Sequence, residues 1–327
     1  MVKVAVAGGT GGLGLHIVEA IAEGGKHEVV VFSRKTAHPV LEKLGVTIVP
    51  VSYDDPSALA RALEGVHTVI STILGTTDDT LVKPQLALLE AAVKAGVKRF
   101  APSEFGVRVT PDFPVTAFRP KWRVADAVQK SGLEYTLFEN GLFANYLAVG
   151  TPGIGHLSSY PFMFDIEHYK ATLAADTSMY HVYTRAEDIG RFVAASLDLE
   201  KWPAVSHMQG DRKTVAEVLR LAEQVRGVFR SYDSSSPELT QSSGRKFDVT
   251  YLTEEQLLAI VNKAKKQSPA TGETFGGHDL QTLYAEWWLA SLGSNPVGFE
   301  EKNLNELCPL VQPIGVEEFL KKWWGNQ

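Results

Sequence analysis

Short runs of apolar, often β-branched residues alternate with helix-length segments over the first half of the chain. The runs predicted as strands are 2–7, 28–32, 46–49, 67–72, 98–101 and 134–138. The segments predicted as helices are 12–23, 56–63, 80–94 and 120–130. Several strands are almost continuously apolar, which is typical of parallel strands covered by helices on both faces. The alternation therefore predicts an α/β fold with a doubly wound parallel sheet of the Rossmann type.

The second half is expected to add a smaller domain. A strand, a helix and a strand are predicted at 180–184, 186–198 and 205–210, on the edge of the same sheet. Further helices are predicted at 214–224, 254–265, 280–292 and 316–324, and the serine-rich run 231–243 is typical of a loop. We therefore expect a Rossmann domain of residues 1–150 and 181–212 and an α+β substrate domain of residues 151–180 and 213–327.

Composition excludes several classes of partner. The 327 residues carry a net charge of −6 and contain no long run of Lys and Arg, so we expect neither nucleic acid nor an anionic membrane as a partner. No stretch approaches the ~20 apolar residues of a membrane span, and no leader precedes the first strand. A single cysteine, Cys308, excludes an intramolecular disulfide and a multi-thiolate metal site. We expect a cytoplasmic protein without a metal, in which Cys308 is a packed thiol.

A glycine-rich loop follows the first predicted strand. Gly8, Gly11 and Gly14 stand three residues apart, and the loop opens a predicted helix. Such glycines allow a tight turn and a close approach of the backbone to a pyrophosphate, while free N–H groups at the helix start face the anion. The loop alone could be a simple turn. Its place within a strand–helix–strand unit favours a dinucleotide site.

The end of the second strand indicates which dinucleotide binds. An NAD site usually has Asp or Glu ~20 residues beyond the glycines, where it holds the ribose hydroxyls. Here Ser33, Arg34 and Lys35 offer a hydroxyl and two cations, which suit the 2′-phosphate of NADP. The alternative is an ordinary basic surface turn. We predict NADP(H) as the cofactor.

The proton donor of such an enzyme has to be sought outside the commonest pattern. None of the ten tyrosines is followed four positions later by Lys, as in many short-chain dehydrogenases. The carboxyl ends of the fifth and sixth strands should border the nicotinamide, which places the segments 102–106 and 140–143 there. Lys121 follows Pro120 and should begin a helix between them. The helix dipole and the neighbouring Arg119 and Arg123 would lower its pKa, although a solvated surface lysine would look the same in sequence.

The run 4–14, the segment from Arg99 to Gly106 and Lys121 resemble the NmrA-like branch of atypical short-chain dehydrogenases, and within it isoflavone, phenylcoumaran benzylic ether and pinoresinol-lariciresinol reductases. The resemblance is sharp over the first 145 residues and again at 185–190. It implies an NADPH-dependent reductase with Lys121 as the catalytic residue. It also supports Arg34 as the 2′-phosphate contact.

The predicted cofactor site comprises Gly8, Thr10, Gly11, Gly12, Leu13, Gly14, Ser33, Arg34, Lys35, Thr72, Ser103, Lys121, Asn140 and Phe143. The predicted substrate side comprises Glu104, Phe105, Phe164 and His168. Aromatic side chains are dense between residues 150 and 170, where they could stack on a planar substrate or form core. His168 could handle a proton or be structural. The tryptophan pairs 287–288 and 323–324 are expected to pack.

Two function classes follow from these observations. The first is a reductase acting on an enone, ketone, imine or benzylic ether of a hydrophobic, aromatic small molecule. The second is a non-catalytic NADP-sensing regulator of the NmrA kind, which acts through a protein partner. Lys121 and the segment from Pro102 to Gly106 favour the enzyme, because a sensor needs no proton donor beside the nicotinamide.

Overall fold

The computed structural model of the protein describes residues 1–227, 246–265, 274–275 and 277–325. The predicted serine-rich loop at 231–243 lies outside these ranges. No helix in the described part of the chain is long and apolar enough to cross a membrane.

Six parallel strands form the main sheet. They are β1 (Lys3–Ala7), β2 (Glu28–Ser33), β3 (Thr47–Pro50), β4 (Thr68–Ser71), β5 (Arg99–Ala101) and β6 (Glu134–Tyr135), in the order β3-β2-β1-β4-β5-β6. This is the strand order of a doubly wound nucleotide-binding sheet, with its switch point between β1 and β4. The predicted fold class is confirmed.

One predicted strand is divided. Residues 134–138 were expected to form a single strand, but β6 ends at Tyr135 and a second strand, β7 (Leu137–Glu139), pairs in parallel with β12 (Val205–His207). Between them, the buried hydroxyls of Thr136 and Ser206 lie 2.8 Å apart. At this polar contact the chain changes its partner strand, from β5 to β12.

Helices cover both faces of the sheet. They are α1 (Gly12–Gly24), α2 (Pro39–Lys43), α3 (Pro56–Ala62), α4 (Lys83–Ala95), α5 (Lys121–Lys130) and α6 (Ala186–Ser196). Side chains of β1 alternate between two cores: Val4 and Val6 pack with α1 and α6, whereas Ala5 and Ala7 pack on the side of α3 and α4. The short α2 was not predicted, and α4 begins three residues later than expected, after a turn capped by Thr77.

The rest of the chain builds a third and larger core. Its strands are β8 (Leu142–Phe143), β9 (Phe164–Asp165), β10 (Lys170–Ala174), β11 (Tyr180–Thr184), β13 (Asp211–Thr214), β14 (Asp248–Leu252), β15 (Thr274–Phe275) and β16 (His278–Asp279). Its helices are α7 (Val215–Val225), α8 (Glu254–Ala264), α9 (Leu280–Leu292) and α11 (Val316–Trp324), whereas α10 (Asn303–Leu307) packs on the Rossmann core through Leu304. Trp288 and Trp324 are buried in this core, and Cys308 is buried against the Rossmann core, as predicted.

The expected position of β11 was wrong. The strand does not extend the main sheet; it lies between β13 and β8 in a separate three-stranded sheet. The antiparallel pairing of β11 with β13, just before α7, uses the backbone hydrogen-bonding groups that pairing with the main sheet would require. β12 does not join the main sheet either; it pairs with β7, which follows the edge strand β6 in the chain, in a two-stranded sheet of its own.

A buried histidine on β11 predicts an acid-sensitive fold. Burial lowers the pKa of His181 to about 3, from an ordinary 6.5, and neither ring nitrogen has a hydrogen-bond partner among the described residues. Between pH 6.5 and 3, this histidine therefore binds a proton in the unfolded chain but not in the folded chain. Stability should fall as the pH falls from 6.5 towards 3, by up to about 1.4 kcal/mol per pH unit.

The replacement His181→Phe should remove this part of the pH dependence. Urea unfolding of the parent and the variant across the same pH range measures the difference. Replacement of the exposed His168 by Asn serves as the control and should leave the slope unchanged. Equal slopes for the parent and His181→Phe would contradict the prediction.

Candidate active site

The glycine loop connects β1 to α1 at the switch point of the sheet. Gly8 has a φ of +84°, which favours glycine. A Cβ on Gly14 would lie 2.4 Å from Thr72 Oγ1 and 2.5 Å from the carbonyl oxygen of Gly8. Thr72 in turn donates to the carbonyl oxygen of Ala7 at 2.9 Å. Gly8 and Gly14 therefore hold the helix, the loop and the end of β4 in close contact.

The exposed side of the loop is open to an anion. Gly11 has an extended backbone, and a Cβ built there meets nothing within 4 Å. No side chain caps the start of α1, and no acidic residue lies in its first turn. The N–H groups there, with the positive end of the helix dipole, fit a pyrophosphate. Thr10, Gly12 and Leu13 complete this turn.

The predicted ribose-binding residues gather at the end of β2. The hydroxyls of Thr10 and Ser33 lie 3.3 Å apart, and Ser33 accepts a hydrogen bond from the backbone N–H of Lys35 at 3.0 Å. Arg34 and Lys35 are exposed beside them. Burial raises the pKa of Tyr53 to about 12, and the Arg34 guanidinium acts against that rise. These residues fit a phosphate on the adenosine ribose, and the sequence did not point to Tyr53.

Lys121 begins α5, as predicted. Its Nζ donates to the main-chain carbonyl of Glu104 at 2.6 Å and lies 5.4 Å from the ring centroid of Phe118. Burial lowers the pKa of Lys121, and the carboxylate of Glu104 opposes this. The expected direction is supported, but the neighbouring arginines are not among its causes: Arg123 pairs with Asp78, and burial lowers the pKa. Desolvation, rather than neighbouring arginines, favours the neutral amine.

The segment 102–106 turns inward after β5. Ser103 N–H donates to Gln85 Oε1 at 2.8 Å. Glu104 is only 1% exposed and accepts a hydrogen bond from the Val109 N–H, and burial raises its pKa to about 7. Phe105 is buried and stacks on Phe138. The two residues expected on the substrate side, Glu104 and Phe105, therefore contact the protein interior instead.

Asn140 joins the ends of two strands. The backbone N–H groups of Asn140 and Gly141 both donate to the carbonyl oxygen of Gly106, at 2.9 and 2.8 Å. The carbonyl oxygen of Asn140 accepts from the Thr184 hydroxyl, and its side chain is fully buried. Asn140 thus fixes the backbone at the predicted nicotinamide end, close in sequence to the half-buried Phe143.

An aromatic cluster extends from Phe118, beside Lys121. Its members are Phe118, Phe143, Tyr146, Tyr160, Phe162, Phe275, Tyr284 and Trp287. The rings of Tyr146 and Tyr160 are 4.9 Å apart, and Phe118 meets Trp287 edge-on at 5.8 Å. Burial raises the pKa of both tyrosines, which keeps their hydroxyls protonated as hydrogen-bond donors. The cluster offers aromatic surfaces and tyrosine hydroxyls, and it meets the Lys121 amine at Phe118.

Two residues predicted for the substrate side do not join this cluster. Phe164 is buried in the core behind it. The side chain of His168 is 64% exposed and binds Asp165 three residues earlier. His168 is thus a surface residue, and its role as a second proton-handling group is not supported. Most cluster members come from segments far apart in the chain, so that sequence density alone did not identify them.

One group of described residues could hold a metal. His16, Glu19 and His156 bring their ligand atoms within 4.8 Å of one another. His16 Nε2 accepts a hydrogen bond from the backbone N–H of His156 at 3.1 Å, so the neutral ring carries its proton on Nδ1. A metal on Nδ1 would displace that proton and disrupt the bond at Nε2. The group is better explained as a contact between α1 and the loop at 151–156.

The sheet order and the glycine loop at the switch point define a dinucleotide-binding Rossmann protein. The chain belongs to the NmrA-like family, which matches residues 2–274. This confirms the family that the sequence resembles.

Three relatives illustrate this relationship. The oxidoreductase BOA1 of Botryotinia fuckeliana is 36% identical over 233 residues, which cover 69% of this chain and 77% of the relative. The bifunctional pinoresinol-lariciresinol reductase 2 of Thuja plicata is 28% identical, with 98% of each chain covered. The NADPH-dependent quinone oxidoreductase QOR2 of Escherichia coli, solved with NADPH, superposes with a TM-score of 0.72 at 20% identity, over 98% of this chain and 99% of that one. The prediction of an oxidoreductase that uses NADP(H) agrees with these relatives.

Proposed function

We propose that this protein is an NADPH-dependent reductase that transfers hydride to a hydrophobic, aromatic small molecule, with Lys121 as the acid and base. The observation that carries the proposal is the position of the Lys121 amine. It lies at the start of α5, held by the Glu104 carbonyl, and borders both the carboxyl edge of the sheet and the aromatic cluster. A proton donor beside a dinucleotide site and an apolar surface is the arrangement that a reductase requires.

The cofactor would cross the carboxyl edge of the sheet. The open turn at Gly11 would hold the pyrophosphate, and Ser33, Arg34 and Lys35 would hold the 2′-phosphate. The nicotinamide end would then lie near Ser103, Asn140 and Phe143, at the ends of the fifth and later strands. When bound, NADPH supplies the hydride.

Lys121 would handle the proton that accompanies the hydride. Burial disfavours the charged ammonium, so the Lys121 amine gives up a proton more easily than a solvated lysine. An ammonium hydrogen-bonded to the Glu104 carbonyl has two further N–H groups that it can direct at a substrate oxygen or nitrogen. The reduced bond would be that of an enone, ketone, imine or benzylic ether.

The substrate would lie on the aromatic cluster. Planar rings would stack on Phe118, Tyr160 and Phe162. Tyr146 donates its hydroxyl proton to Tyr160, which leaves the Tyr160 hydroxyl to donate to a phenolic or quinoid oxygen. Relatives named for the reduction of pinoresinol and of quinones support an aromatic substrate.

The test is an activity screen with the purified protein. Phenolic enones, quinones and benzylic ethers are offered with NADPH, and consumption of the cofactor is followed by absorbance while the products are identified by mass spectrometry. Reduction of at least one aromatic compound is expected. Reduction of aliphatic carbonyl compounds alone would contradict the proposed substrate class.

Cofactor preference is a separate prediction. NADPH should bind more tightly than NADH, and Arg34→Ala should narrow the gap by about 1.5–3 kcal/mol, because one charge-assisted contact with the 2′-phosphate is lost. Titration of both cofactors by intrinsic fluorescence measures this. Arg61→Ala is the control. This exposed arginine is in the last turn of α3, which leads to the amino-terminal end of β4, whereas the cofactor would bind at the carboxyl ends of the strands. Equal affinities for the two cofactors in the parent protein would contradict the prediction.

A further inference from the structure

The lysine amine and a buried carboxyl group belong to one local structure. Nζ of Lys121 donates to the main-chain carbonyl of Glu104. The side chain of the same residue carries the carboxylate that acts to raise the pKa of the Lys121 amine. The carboxyl group faces inward, where the residue is 1% exposed. A charge at such a position is poorly screened by solvent.

The Glu104 carboxyl group has a defined orientation. Its Oε1 accepts a hydrogen bond from the backbone N–H of Val109 at 3.0 Å, which closes the loop between residues 104 and 109. This bond fixes the carboxyl group on the same short loop whose Glu104 carbonyl oxygen accepts from the Lys121 amine. A neutral amide of the same shape could make the same bond.

Other charged groups also face this carboxyl group. Arg108 and Glu139 act on Glu104 in opposite directions, and Arg108 Nε contacts Glu139 Oε1 at 3.1 Å. Glu139 also contacts His207 Nε2 at 3.1 Å. Because Glu139 has these two partners, its charge is largely compensated. Of the two cations that act on Glu104, Lys121 has the larger effect on its pKa and Arg108 the smaller.

We propose that Glu104 is a positioning residue for Lys121: its carbonyl oxygen holds the amine in place, and its buried carboxylate keeps that amine protonated. The inference rests on the proposed function, in which the ammonium serves as the acid. Loss of the carboxylate should make Lys121 lose its proton at lower pH, since a nearby negative charge favours the ammonium.

The same coupling should be visible in the unmodified protein. Burial raises the pKa of Glu104 to about 7, so the negative charge beside Lys121 should appear as the pH passes through neutrality. The signal of the Lys121 side chain should therefore respond near pH 7 as well as at its own ionisation.

The decisive experiment is an NMR titration of ¹³C-labelled lysine side chains in the full chain, without cofactor or substrate. The Lys121 signal is assigned by its loss in Lys121→Arg. In Glu104→Gln, which keeps the bond to Val109, the Lys121 midpoint should move to lower pH by about one unit. Glu104→Asp, which restores the charge, should return the midpoint towards that of the parent. An unchanged midpoint in Glu104→Gln would overturn the proposal.

A carboxylate with a purely structural role serves as the control. Glu134 binds Arg99 and the Trp202 N–H on the edge strand β6. Glu134→Gln should lower thermal stability and leave the Lys121 titration unchanged. If Glu104→Gln does not fold, the response of Lys121 near pH 7 in the parent decides, and its absence would also overturn the proposal.

The titration separates this inference from the proposed function. Because it needs no turnover, a shifted midpoint in a protein that reduces no substrate would support the coupling and reject the reductase. Where a substrate is reduced, the alkaline limb of the pH–rate profile in Glu104→Gln should move to lower pH together with the Lys121 midpoint. If Glu104→Gln reduces the substrate with the same pH–rate profile as the parent, the coupling is rejected and the reductase function is not.

Discussion

Replacement of Lys121 by alanine is expected to lower turnover by about 10²–10⁴-fold, the usual contribution of a positioned acid or base. NADPH affinity should stay nearly unchanged, because the phosphates of the cofactor would bind at the glycine loop and at Ser33 to Lys35. Binding and chemistry should therefore separate in this variant. Single-turnover kinetics with a reduced substrate, together with a cofactor titration, measure both quantities.

Two further variants sharpen this prediction. Lys121→Arg should not restore the rate, because a guanidinium keeps its proton at any working pH. Lys130→Ala, at the exposed end of the same helix, is the matched control and should leave turnover unchanged. Full turnover in Lys121→Ala would show that Lys121 is an ordinary lysine and that another group supplies the proton in the reaction.

Replacement of Gly11 by valine should abolish measurable NADPH binding while the protein still folds. The extended backbone at Gly11 accepts a branched residue, and the new Cβ meets nothing within 4 Å. In the bound state, however, the side chain would occupy the space of the pyrophosphate and block the N–H groups at the start of α1. Affinity should fall by at least about 100-fold, the effect of losing two charge-assisted contacts.

Calorimetry with NADPH and a thermal melt of the unliganded protein check this result. Gly24→Val is the matched control, because Gly24 is at the other end of α1 and a Cβ there also meets open space. It places the same side chain on the same helix and should have no effect on binding. NADPH affinity at the parental level in a folded Gly11→Val variant would mean that the loop is only a turn.

Local patterns were sufficient to predict the Rossmann sheet and the cofactor end of the site. Strands buried on both faces are continuously apolar, and the glycines at 8, 11 and 14 act within one turn of the chain. The position of Lys121 at the start of a helix also has a local cause, because it follows Pro120. Such features depend on neighbours in sequence and can be predicted from it.

The parts that were missed depend on distant contacts. Lys121 is desolvated by packing that no local pattern describes, and Phe105 stacks on Phe138, a ring from another strand. The aromatic cluster brings Tyr146 and Trp287 together from opposite halves of the chain. Local aromatic density between residues 150 and 170 included Tyr160 and Phe162, which join the cluster, but it also indicated Phe164, which the structure buries in the core.

The pairing of β7 with β12 has a consequence for the order of events on the ribosome. Thr136 and Ser206 are 70 residues apart in the chain. At ordinary rates of translation, β7 therefore has no partner strand for roughly 4–14 s. During that interval Phe138 lacks Trp202, the ring that covers it in the finished fold. The nascent chain thus exposes an apolar strand edge before its partner strand has been synthesised. Slow codons between the two strands would lengthen this exposure.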